Sequence, residues 1–321
     1  MWWVRPRRHA RAGRCRRTAS AGWCRRVQRS ALSLAGGCAC GFLVAAAVTA
    51  DDGLPVHGFR VVASWPHDPT AFTQGLVWAN GALYESTGGH GHSSLRRVDL
   101  ASGRVVQQRL LSDSLFGEGL TAWRGTLVQL TWRAGRVLRY DQATFAALDE
   151  LSLAGEGWGL THDGERWIIS DGSSTLRFLD PATGAETRRV QVLAEGRPLR
   201  RLNELEWVPV PVADAHSGAD ATTATGATSG RLRKRRDEIW ANIWHDDRLA
   251  RIDPADGEVL GYVDLTGLWP QRKRPHPEAV LNGIAFDAAR RRLLVTGKHW
   301  PRLYWIAVPG LLPAGSVGGP D

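Results

Sequence analysis

Gln74-Gly75-Leu76 decides the fold, because the phrase returns as Glu118-Gly119-Leu120, Trp158-Gly159-Leu160, Asn203-Glu204-Leu205 and Asn282-Gly283-Ile284. The first three spacings are 44, 40 and 45 residues, the length of one four-stranded propeller blade. A second strand pattern follows each phrase: Ala82 to Thr87, Thr126 to Trp132, Arg166 to Asp171, Glu238 to Trp244 and Arg292 to Lys298. A third then ends on an aspartate before a tight turn in four repeats, at Asp99, Asp141, Asp180 and Asp253. Turns such as Ala101-Ser102-Gly103 and Ala182-Thr183-Gly184 carry side chains that tolerate left-handed backbone. Short strands with apolar residues at period two and regular turn signals predict an all-β chain. The predicted fold is a five-bladed β-propeller.

The fifth repeat stops after three strands near Val308, while an extra strand pattern, Gly58 to Ser64, precedes the first repeat. The ring is therefore expected to close by pairing that N-terminal strand into the last blade, which removes an open sheet edge. The last phrase spacing, 79 residues, has a visible cause. Residues 213–238, rich in Ala, Thr, Gly and Ser and ending in an arginine run, read as a flexible low-complexity insert in the fourth repeat. Gln271 to Pro277 reads as a second solvated loop, between repeats four and five.

The formal net charge of +9 would suggest a polyanionic partner, but residues 1–50 hold ten arginines and no acid. The remainder carries 31 basic against 32 acidic residues, so no nucleic-acid partner is expected. The basic start runs into an apolar stretch, Ala31 to Val48, with small residues before Asp51, the pattern of a secretory signal. An uncleaved membrane anchor is the alternative, and membrane contact is expected only through this leader. The predicted organisation is thus a leader at 1–50 and a single propeller domain at 51–321. Cys15, Cys24, Cys38 and Cys40 all lie in the leader. The body can form neither a disulfide nor a cysteine-ligated zinc site.

Equivalent positions of a propeller face the same place. Gln74, Glu118, Trp158, Asn203 and Asn282 open the innermost strands and should converge near one mouth of the axis. Trp132, Asp171, Trp244 and Lys298, ending second strands, should line the same rim. Plainer readings stand beside these: tryptophans pack cores, Asn203 and Asn282 suit strand-end backbone bonds, and Asp171 before Gly172-Ser173 suits a turn. His90 and His92 read as a solvated Gly-rich turn rather than a metal site. Glu118 is the exception, since an acid between two glycines adds neither packing nor strand propensity. Tryptophan walls would raise its proton affinity by desolvation, fitting it to accept and donate a proton. Lys298 would add a cation for an oxyanion.

The phrases Phe72-Thr73-Gln74-Gly75-Leu76, Phe116-Gly117-Glu118-Gly119-Leu120-Thr121, Gln129-Leu130-Thr131-Trp132, Gly155-Glu156-Gly157-Trp158, Leu202-Asn203-Glu204-Leu205-Glu206, Ala241-Asn242-Ile243-Trp244, Leu281-Asn282-Gly283-Ile284 and Thr296-Gly297-Lys298-His299-Trp300-Pro301 resemble the plant and bacterial glutaminyl-peptide cyclotransferases. They run in family order over roughly residues 58 to 308. The resemblance implies a five-bladed propeller that cyclises N-terminal glutamine of peptides or proteins to pyroglutamate and releases ammonia. It implies Glu118 as the catalytic carboxyl and Phe72, Gln74, Phe116, Trp132, Trp158, Asn203, Trp244 and Lys298 as pocket residues. Glu118, Lys298 and Asn203 are expected to act in catalysis, with Asn282 added to the substrate-binding set. No cofactor is required by such chemistry, although the axial channel leaves room for a structural metal ion. A monomeric, exported enzyme is expected. Two alternatives use the same residues: a calcium-dependent propeller lactonase or esterase with Glu118, Asn203, Asn282 and Asp171 as oxygen ligands, and a non-catalytic peptide-binding propeller.

Overall fold

The computed structural model describes residues 53–211 and 235–312, and their sheets form the five blades of a propeller. The leader with its cysteines and most of the predicted insert lie outside these residues. Blade one comprises Thr73–Ala79, Ala82–Thr87, Ser94–Val98 and Val105–Leu110, and blade two Gly117–Trp123, Thr126–Thr131, Arg136–Asp141 and Ala147–Ser152. Blade three, with shorter inner strands, comprises Leu160–His162, Trp167–Ile169, Thr175–Leu179 and Glu186–Gln191. Blade four comprises Leu202–Pro211, Arg235–Ile243, Arg248–Ile252 and Val259–Asp264. In blade five, Leu281–Asp287, Arg292–Gly297 and Arg302–Ala307 are joined by Arg60–Pro66, which pairs antiparallel with Arg302–Ala307. The N-terminal strand thus closes the ring.

Each second strand carries two consecutive apolar residues because a blade is covered on both faces. Leu83 and Tyr84, Leu127 and Val128, Ile168 and Ile169, Ile239 and Trp240, and Leu293 and Leu294 are buried pairs. One member packs toward the preceding blade and the other toward the following one. Leu127 joins Val77 and Tyr84 between blades one and two, whereas Val128 joins Trp167 and Ile169 between blades two and three. The core is accordingly five wedges, one between each pair of neighbouring blades. The outer strands are largely exposed, with Val106 and Leu110 facing solvent.

The inner strands approach closely at the second residue of the phrase. A Cβ on Gly119 would lie 2.5 Å from the Leu160 nitrogen, and one on Gly159 would collide with the Asn203 carbonyl. Blade four alone replaces this glycine, with Glu204. Its fully buried carboxyl reaches across the ring to accept the backbone N–H groups of Leu76 (3.3 Å) and Ile284 (2.9 Å). Burial, with Glu206 nearby, pushes the Glu204 pKa well above the carboxylate range.

The structure departs from the sequence reading in four places. Arg235 to Glu238, assigned to the insert, belong to a long strand in which Arg235 and Arg236 pair with Pro211 and Val210. The inserted segment is therefore 212–234. The stretch at 271–277 contains the one helix among the described residues, a 3-10 turn at Gln271–Lys273, and its Arg274 is buried against Asp247 at 2.7 Å. Val56–His57 adds a parallel fifth strand to blade four. A small hairpin, Leu193–Ala194 with Arg197–Pro198, sits between blades three and four. No helix of the described residues is long and apolar enough to cross a membrane.

Candidate active site

In four of the five inner strands the residue that opens the phrase sits in a break of ladder register. The breaks fall between Thr73 and Gly75, Gly117 and Leu120, Leu202 and Leu205, and Leu281 and Ile284. Such bulges re-aim a side chain out of the pleat, which turns Gln74, Glu118 and Asn203 toward the mouth. Trp158 precedes its strand and is held by Ser170, whose carbonyl accepts the Trp158 N–H at 2.9 Å. A cavity of about 250 Å³ results, lined by every predicted site residue except Asn282 and Asp171.

Glu118 lies at its base, 4 % exposed, with Gln74 Nε2 donating to it at 3.1 Å. Asn282 stands behind this pair. It is fully buried and donates to Gln74 Oε1 (3.2 Å) and the Thr73 carbonyl (2.9 Å), so it positions Gln74 and does not line the cavity. Burial raises the Glu118 pKa well above the usual carboxylate range, against the pull of Lys298. Lys298, equally enclosed, is pushed the other way by its own desolvation, against the attraction of Glu118 and Glu278. Its ammonium sits 4.6 Å from the centre of the Phe72 ring, a cation–π contact. Asn203 is buried, and its Oδ1 has no hydrogen-bond partner. A buried acceptor left unpaired costs about 1–3 kcal/mol, a cost that a substrate N–H would relieve.

The aromatic walls are fixed by two acids that sequence reasoning did not assign. Glu156 accepts the indole N–H groups of both Trp132 (2.8 Å) and Trp158 (3.0 Å) on one oxygen and Arg133 on the other. Partial burial opposes its charge, but these bonds prevail and lower its pKa. Glu278 accepts the Trp244 indole at 3.2 Å and lines the cavity. The rings meet edge to face: Phe72 with Phe116 at 6.0 Å, Phe116 with Trp132 at 5.6 Å, and Trp158 with Trp244 at 5.8 Å between centroids. Buried tryptophans need an acceptor for the indole N–H. That requirement is the signal that marks Glu156, inside the quoted phrase before Trp158.

The remaining predicted residues lie elsewhere. Asp171 accepts the Ser173 N–H at 3.0 Å and closes a turn. His90 packs edge-on against Phe116 at 5.5 Å. Among the described residues no three His, Cys, Asp or Glu side chains gather closely enough to hold a metal ion.

A buried carboxyl of raised proton affinity, a buried cation and an aromatic enclosure, assembled from separate blades at one mouth, define an enzyme site on a five-bladed propeller. Comparison with known proteins gives the family. A family model described as glutamine cyclotransferase matches residues 34–217 and 221–308, and the chain belongs to this family. It is 39% identical over 257 residues to a glutaminyl-peptide cyclotransferase of Arabidopsis thaliana, covering 78% of this chain and 71% of that protein. The crystal structure of Myxococcus xanthus glutaminyl cyclase superposes with a TM-score of 0.66 at 33% identity, covering 80% of this chain and 98% of the other.

Proposed function

We propose that the chain is a glutaminyl-peptide cyclotransferase, closing the N-terminal glutamine of peptides and proteins to pyroglutamate with release of ammonia. Family membership supports the reading. The observation that carries it is Glu118: a buried carboxyl of raised proton affinity beside a buried lysine, inside a cavity the size of one side chain with its backbone.

The chemistry is an intramolecular aminolysis. Glu118 takes a proton from the α-ammonium of the bound glutamine, and the freed amine attacks the γ-carboxamide carbon. One C–N bond forms and a tetrahedral oxyanion develops, steadied by Lys298 and the Gln74 amide. Glu118 then delivers that proton to the carboxamide nitrogen, and the second C–N bond breaks to free ammonia. The carboxylate so regenerated accepts the surplus proton of the attacking nitrogen, which leaves to solvent at the end of the turnover. A carboxyl whose pKa is raised toward neutrality serves both transfers. Asn203 Oδ1 is the acceptor for a substrate N–H, and the tryptophan and phenylalanine walls hold the side chain curled in its near-attack shape. Addition and elimination here ask for no redox group or nucleotide, and we assign no cofactor to the reaction.

The lactonase alternative is not favoured, because it needs Asp171 to converge with Glu118, and Asp171 instead closes a turn outside the cavity. In context, we read the enzyme as exported after removal of the leader near Ala50 and as a monomer, since one chain supplies every residue of the site. A coupled ammonia assay on the purified protein with a Gln-initiated dipeptide tests the reading. Steady ammonia release is expected, and it should survive exhaustive chelation. A protein that binds the dipeptide but releases no ammonia would be a binding module.

A further inference from the structure

Beside the cavity, on the blade-four and blade-five side of the mouth, lies a groove of about 400 Å³ walled by His245, Gln271, Arg274, His276, Pro277 and Val280. The two spaces share a wall one residue thick. Glu278 lines the cavity, pairs with His245 Nε2 at 3.3 Å, and donates its backbone N–H to His276 Nδ1 at 3.0 Å. The rings of Trp244, in the cavity, and His245, in the groove, are 4.5 Å apart. The Val280 carbonyl accepts the backbone N–H of Lys298 at 3.0 Å.

We infer that this groove receives the second and third residues of the peptide substrate and favours acidic side chains there, an inference that rests on the function proposed above. At about 250 Å³ the cavity has room for one glutamine, so the rest of the peptide would leave through the mouth. An extended chain advances about 3.3–3.6 Å per residue, which brings residues two and three alongside a space one side chain away.

The groove is a built surface. Arg274 donates to Asp247 at 2.7 Å and twice to the Trp269 carbonyl, and its guanidinium lies 5.3 Å from the Trp300 ring centre. Gln271 also donates to Asp247. These bonds consume the Arg274 charge and leave its neighbours unmatched. Arg272 and Lys273 are exposed at the end of the 3-10 turn, and neither has an ion-pair partner among the described residues. The acid facing the groove, Glu278, is already held by Trp244 and His245. Arg272 and Lys273 stand in the turn between the groove residues Gln271 and Arg274 without forming its wall, so their unmatched charge lies beside the groove and favours an incoming carboxylate over an ammonium.

The test compares kcat/KM of the purified protein for two C-terminally amidated peptides, Gln-Glu-Glu-Ala and Gln-Lys-Lys-Ala, by ammonia release. At low ionic strength the acidic peptide should lead by about three- to tenfold, the scale of two exposed charge pairs. The lead should shrink in about 0.5 M salt, where screening shortens the reach of surface charges to a few ångströms. Replacing Arg272→Ala together with Lys273→Ala should bring the ratio toward one, a readout independent of how much enzyme is folded. Equal rates with wild type, or an unchanged ratio in the double variant, would overturn the subsite alone. No ammonia from either peptide would overturn the proposed reaction and the subsite with it.

Discussion

Glu118 and Lys298 hold each other in tension, because burial discharges both and each opposes the other's discharge. With Glu118 as the proposed proton carrier, the acid limb of kcat/KM should follow its ionised fraction, activity falling as pH drops through its raised pKa. Lys298→Met removes the cation that restrains this pKa. It should shift the acid limb to higher pH and lower the plateau by about 10²-fold, the lower end for an oxyanion donor because Gln74 can still donate. A pH profile reads both effects, and an acid limb that stays in place would show that the two groups are not coupled. Glu118 was legible in the sequence because a charged residue between glycines in repeat register has no structural reason to be there. Glu278 was not, since it lies between Pro277 and Ala279 outside the repeat and reaches the site through the Trp244 indole and the Lys298 charge. Asn282 was legible by register but misassigned in role: its bulge directs it behind Gln74, a depth that repeat position alone does not encode.

Ring closure at the seam of blades five and one depends on more than the N-terminal strand. His67, just after that strand, is buried between the Trp300 carbonyl (2.6 Å) and Glu85 (3.0 Å), and Glu85 also accepts Thr73 Oγ1 at 2.7 Å. Burial lowers the histidine pKa, but the Glu85 charge and hydrogen bond outweigh it and the net shift is upward. Glu85 is likewise desolvated, yet held below its ordinary value of 4.5 by His67 and Arg96. The stabilisation is therefore complete between about pH 4.5 and 6.5. It is lost as pH rises through the folded pKa of His67, and as pH falls through that of Glu85. His67→Ala should cost about 3–5 kcal/mol by stranding a buried carboxylate, and the variant should lose less stability than wild type between pH 5.5 and 9. Melting curves at the two pH values measure this, and an equal loss in both proteins would assign the seam's stability elsewhere. The closing strand itself was visible as a surplus strand before the first repeat. The two-residue strand Val56–His57 was not, being too short to show a period. Arg235 to Glu238 read as loop because an unbroken run of charged residues has no apolar alternation to betray its pairing.

At the scale of the whole molecule, five wedges of core close a ring whose one mouth collects groups from every blade. The segment 212–234 lies outside the described residues, and the strands on either side of it end with Pro211 directly opposite Arg235. A short turn can join such ends. Replacing residues 212–234 by a four-residue turn should leave ammonia release within about twofold and raise stability slightly, since each halving of a loop is worth about 0.6 kcal/mol. A large loss of turnover in a folded variant would place the segment at the substrate. On the proposed function, this ring holds one proton carrier, Glu118, in an apolar enclosure. Glu118→Gln preserves shape and hydrogen bonding while abolishing ionisation, so its melting temperature should match or exceed that of wild type. Its rate of ammonia release from a Gln-initiated dipeptide should fall by at least about 10²-fold. Release at the wild-type rate by this variant would contradict the account.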